Sequence, residues 1–77
     1  MLEQLTRIEH NSEIMGGKAC IKGTRVTVGM IINLISEGKT TDEILDDYPY
    51  IEIDDVKQAL AYAAWTVNAI ESEIISA

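Results

Sequence analysis

Residues 28–50 read VGMIINLISEGKTTDEILDDYPY, and the pattern changes within this stretch decide the fold. Val28, Ile31, Ile32 and Ile35 fall at i, i+3, i+4 and i+7, the spacing that gathers apolar side chains on one helical face. Gly38 is placed to end that helix with a left-handed residue. Thr40 and Glu43 match a capping box, in which hydroxyl and carboxylate each satisfy one orphan backbone donor. A second helix is therefore expected to start at Thr41. It carries Ile44 and Leu45 inward and closes near Tyr48, because Pro49 pushes the residue before it out of helical geometry.

Downstream, Ile53, Val56, Leu60, Ala63, Val67, Ile70 and Ile74 alternate steps of three and four, as an a/d seam does. This predicts a third helix from Ile53 to Ser76, about 36 Å long at 1.5 Å per residue. Two short helices cover only its first turns, so the segment after Trp65 is expected to meet another surface. Upstream, between Arg7 and Thr27, short alternating runs are broken by Asn11, Gly16-Gly17 and Gly23. That punctuation predicts two or three brief strands in a small β ribbon.

The chain has 77 residues and one cysteine, enough for one domain with an aliphatic core and no intrachain disulfide. The start of the sequence lacks the basic n-region and apolar run of a signal peptide, and a cytoplasmic protein is expected. The longest apolar run, Ala59 to Trp65, falls far short of the roughly 20 residues that span a bilayer. Charge is unevenly placed. Residues 1–25 hold Arg7, Lys18, Lys22 and Arg25 against Glu3, Glu9 and Glu13, a balance of +1; residues 26–77 hold Lys39 and Lys57 against ten acids, a balance of −8. Neutralised phosphates supply most nucleic-acid affinity, so residues 26–77 cannot bind DNA alone.

Several motifs in order and spacing resemble the domain-of-unknown-function family numbered 433: Gly16-Gly17-Lys18, Ile21-Lys22-Gly23-Thr24-Arg25, Glu37-Gly38, Glu43-Ile44-Leu45, Tyr48-Pro49 and Ala59-Leu60-Ala61-Tyr62-Ala63-Ala64. The resemblance covers residues 7–64. It implies a mainly α domain with a short N-terminal β arm (7–27) and a three-helix, helix-turn-helix-like unit (28–64) of homeodomain-like or winged-helix-like type. Residues 65–77 then extend the third helix. Ser12 and Ala19 stand where the family usually has Pro, and Glu52 where it has a Thr cap. Some members of the family are similar to antitoxins paired with PIN-like ribonuclease toxins.

Gly23-Thr24-Arg25 offers backbone donors, a hydroxyl and a guanidinium together, as an anion site requires; with one Gly it is far short of a Walker loop, and a tight turn whose Arg bonds a carboxylate or carbonyl of the helical unit is the favoured reading. Arg7, Lys18, Lys22 and Arg25 are the candidate DNA contacts, reached through the β arm. The acids Asp42, Glu43, Asp46, Asp47, Asp54 and Asp55 are oxygen donors of the type Mg²⁺ takes. Asp42 and Asp54-Asp55 also lie near helix N-termini, where the dipole favours anions, and no metal or cofactor is expected. His10 and Cys20 lack a third member of a triad, and no catalytic residue is assigned. Tyr62 is expected in the core; Trp65, Val67, Ile70 and Ile74 are the candidate partner or dimer surface, with Trp65 suiting the core equally well.

Two functions follow as expectations. The first is an antitoxin-like, non-enzymatic module that dimerises and neutralises a PIN-like ribonuclease. The second is a DNA-binding regulator of helix-turn-helix type, against which the four carboxylates of Thr41–Asp47 stand.

Overall fold

The computed structural model describes residues 5–76, with side chains as far as Glu71. Two strands, β1 (Ile8–His10) and β2 (Ala19–Ile21), are followed by three helices, α1 (Val28–Ser36), α2 (Thr41–Asp47) and α3 (Ile53–Ser76). The strands pair antiparallel, with Ile8 opposite Ile21, Glu9 opposite Cys20 and His10 opposite Ala19. A single bridge joins Cys20 to Thr27, so the ribbon folds back a second time without forming a third strand. The turn between β1 and β2 holds Met15, Gly16 and Gly17 at successive positive φ values. Glycine adopts that region readily, whereas a side chain such as Met15 does so uncommonly.

Helix boundaries follow local chemistry. The Thr27 hydroxyl accepts the Met30 N–H at 3.0 Å and opens α1. At its other end the Lys39 N–H reaches the Leu34 carbonyl and the Gly38 N–H the Ile35 carbonyl, with Gly38 at φ 95°; this is a Schellman closure. The capping box of α2 is complete: the Glu43 N–H donates to Thr40 Oγ1 at 3.2 Å and the Thr40 N–H to Glu43 Oε1 at 3.0 Å. Those bonds to Thr40, the backbone donor foremost, hold the Glu43 carboxyl below its usual range.

The core gathers Ile21 and Val26 from the ribbon side, Val28 and Ile31 from α1, Ile44 from α2, Ile51 from the loop, and Val56 and Ala59 from α3. The strands are thus integral to the packing, with Cys20, Ile21 and Val26 each only 2% exposed. Burial and the Glu9 charge push the Cys20 thiol above its ordinary range, which disfavours the thiolate a nucleophile needs.

The seam of α3 needs correcting in phase. Val56, Ala59 and Ala63 face the other helices, but Ile53 and Leu60 are 50% and 43% exposed. With about 3.6 residues per turn, Val56 and Ala63 point at the core while Ile53 and Leu60 lie on the outer flank. Small Ala59 fills the place against α1 that the sequence pattern gives to Leu60.

Candidate protein-binding face

Three features outside the core carry chemistry: the basic ribbon, the acidic start of α3 and the far half of α3. Arg7 links the first two. Its Nη1 lies 2.8 Å from Glu52 Oε1 and 3.1 Å from Asp55 Oδ1, and its Nη2 lies 3.7 Å from Asp54 Oδ2. Its backbone N–H donates to Gln58 Oε1 at 2.8 Å, and its carbonyl accepts the Lys22 N–H at 2.7 Å. The hydrogen bonds to Glu52 and Asp55 raise the guanidinium's affinity for its proton further. Asp55 is buried, and its Oδ2 accepts the Glu52 N–H at 2.7 Å. Asp55 therefore supplies a cap bond to the backbone of Glu52, while the Glu52 side chain serves Arg7.

Arg7 is thus paired within the chain, apart from the other three ribbon cations. Lys18, Lys22 and Arg25 are exposed and form no ion pair among the described residues. In the Gly23-Thr24-Arg25 turn, the donors of Gly23 and Thr24 are spent internally. The Gly23 N–H goes to Glu9 Oε1, the Thr24 N–H and hydroxyl both go to the Ile21 carbonyl, and the Val26 N–H goes to Thr24 Oγ1. The turn is held by its own chain, and the arginine that bonds helix carboxylates is Arg7, not Arg25. Sequence reasoning missed this because the bonded residues lie 45 to 51 positions apart.

The acids at the helix starts have local roles: Glu43 in its capping box, Asp54 and Asp55 on Arg7. Among the described residues no group of three His, Cys, Asp or Glu side chains is placed to hold a metal ion. His10 Nε2 lies 3.0 Å from the Tyr62 hydroxyl, which ties the end of β1 to the middle of α3.

The far half of α3 carries apolar side chains with little cover. Val67 and Ile70 are each 52% exposed; Val67 continues the outer flank of Ile53 and Leu60, whereas Ile70 continues the row of Val56 and Ala63 past the end of the core. Beneath this half a groove of about 640 Å³ opens between β2, the first turn of α1 and α3, lined by Ala19, Val28, Met30, Ile32, Ala63 and Val67, with Lys18 at its edge. Trp65 does not share that face. Two residues before Val67, it sits about 200° round the helix, half-buried with its ring 6.1 Å from that of Tyr62. The side chain of Ile74 lies outside the described residues. No helix among the described residues is long and apolar enough to cross a membrane.

The family model for a protein of unknown function, DUF433, matches residues 8–63. The crystal structure of a DUF433 member protein from Anabaena variabilis is similar to this chain, with a TM-score of 0.77 at 27% identity, covering 96% of this chain and 74% of that one. No curated protein matches the chain.

Proposed function

The chain belongs to the DUF433 family, and on that premise we propose that it is a non-enzymatic binding module of the antitoxin kind, which pairs with itself and neutralises a PIN-like ribonuclease in the cytoplasm. The observation that carries the reading is the far half of α3, where Val67 and Ile70 stand about half exposed beyond the reach of the core. Apolar side chains on a projecting helix gain their transfer energy only by association. The acidic balance of residues 26–77 suits a basic partner such as an RNA-binding groove, and opposed charge accelerates docking more than it tightens it. The buried Cys20 thiol and the carboxylates already committed to caps and to Arg7 support a role without catalysis.

The test is co-expression with a PIN-like ribonuclease encoded beside this chain, followed by an RNA-cleavage assay. Stoichiometric inhibition, lost in a Val67→Glu variant that keeps its circular dichroism, is the expected result. Undiminished cleavage at a several-fold excess of the chain would defeat the reading.

A second reading, a helix-turn-helix regulator that binds DNA through its ribbon, is favoured by one observation: Lys18, Lys22 and Arg25 remain exposed without ion pairs among the described residues. Against entry of α3 into a groove stands its start, which exposes the carboxylates of Glu52 and Asp54. DNA contact in this reading belongs to the ribbon.

A further inference from the structure

We infer that the exposed flank of α3 is an antiparallel, two-fold self-pairing surface, with Lys57 of one copy set beside Glu71 of the second; this rests on reading α3 as the association surface. Two interleaved rows run along that flank. Ile53, Leu60 and Val67 recur every seven residues, and between them Lys57, Ala64 and Glu71 do the same. All six are exposed. The resulting strip alternates steps of four and three, which keeps it on one side of the helix over roughly 27 Å from Ile53 to Glu71.

The partner is a second copy because the strip is complementary to itself. Lys57 and Glu71 stand seven residues before and after Ala64. When a second α3 is laid antiparallel, with the two-fold axis beside Ala63 and Ala64, Leu60 meets Val67 of the second copy and Val67 meets its Leu60. The same register brings Lys57 to within about one residue rise, 1.5 Å along the axis, of Glu71 of the second copy. An isologous interface requires this reciprocity. A parallel pair would instead set Lys57 on Lys57 and Glu71 on Glu71, and like charges opposed across an interface select against it. Ala64 at the crossing carries no bulk that would keep the axes beyond the usual 8–10 Å. A partner of uniform charge matches only one end of a strip that is positive at one end and negative at the other.

Sedimentation equilibrium on the full chain tests this with Leu60→Glu, Lys57→Glu, Glu71→Lys and the double reversal Lys57→Glu/Glu71→Lys, each checked for unchanged circular dichroism. The wild type should dimerise and Leu60→Glu should be monomeric. Each single reversal turns two attractive contacts per dimer into repulsive ones and should weaken pairing about tenfold, and the double reversal should restore it. Dimerisation indifferent to the single reversals, or not restored by the double one, overturns the antiparallel arrangement while leaving α3 as an association surface. A chain that stays monomeric at about 0.1 mM overturns self-pairing. If that monomer still inhibits the ribonuclease and Val67→Glu abolishes the inhibition, the proposed function survives without it; if inhibition is also absent, both readings fail.

Discussion

Between Ile53 and Ala63, α3 is held on several sides: Arg7 gathers the carboxylates of its first turn, Val56 and Ala59 enter the core, and Tyr62 reaches His10. Beyond Ala63 the same helix keeps its apolar period but loses most of its cover, and Val67 and Ile70 stand about half exposed. The near half builds the domain on one side and carries Ile53 and Leu60 on the exposed flank; the far half continues that flank without adding to the buried cluster. Hydrophobic periodicity reports that a face wants burial. It does not report whether the cover comes from the same chain.

The sharpest way to break this comparison is to remove a side chain from each half's surroundings. Ile44, fully buried in the cluster with Val56 and Ala59, should cost about 2–5 kcal/mol when cut to Ala. That is a large share of the roughly 4–12 kcal/mol expected of a domain this long. Val67→Ser, in contrast, should move the urea midpoint by no more than about 0.5 kcal/mol equivalent at concentrations where the chain is monomeric. Equal losses would show that the far half is part of the folding core.

Deleting residues 66–77 should leave a folded, helical domain by circular dichroism and abolish association by light scattering. Retained stoichiometry in the truncated chain would move the association surface to the ribbon. A smaller effect belongs to the cap of α2, where Thr40→Ala should cost about 1 kcal/mol in urea unfolding without altering association. The smallest is a pH effect from Glu43. Its folded carboxyl titrates below its unfolded range, so its stabilisation is present above that range, near pH 4.3, and fades as pH falls through the lower folded value. Glu43→Gln should flatten this part of the acid dependence of the urea midpoint. The ribbon sharpens the contrast differently: Lys22→Ala with Arg25→Ala should leave stability unchanged, and if DNA binds, should lower the log-log salt slope by about one per lost phosphate contact.

The helix boundaries were legible because their signals are local. Thr40 with Glu43, Gly38 and Pro49 act on neighbours a few residues away, and α2 begins at Thr41 and α3 runs from Ile53 to Ser76 as the pattern predicts. The phase of α3 was not legible, because two apolar arcs overlap on it. Leu60 is larger than Ala59 and outranks it on any hydropathy scale, yet the helical angle puts the smaller residue in the buried cluster. Trp65 suits either core or contact surface by residue type, and only the fold shows it half-buried with its ring 6.1 Å from that of Tyr62. The role of Arg7 left no mark in sequence, since its partners are chosen by tertiary proximity.

The bonds of Arg7 also bear on the order in which the chain assembles. Its contacts close loops of 45 to 51 residues, whereas the turns and caps of α1 and α2 close within five. Loop closure over such spans costs entropy that only the completed packing returns. On a ribosome, β2 can pack on α1 as soon as that helix is made, but Arg7 has none of its long-range partners until the start of α3 has followed. The contacts of β1 wait for most of the polypeptide, and α3 completes the fold at one end as it becomes available for assembly at the other.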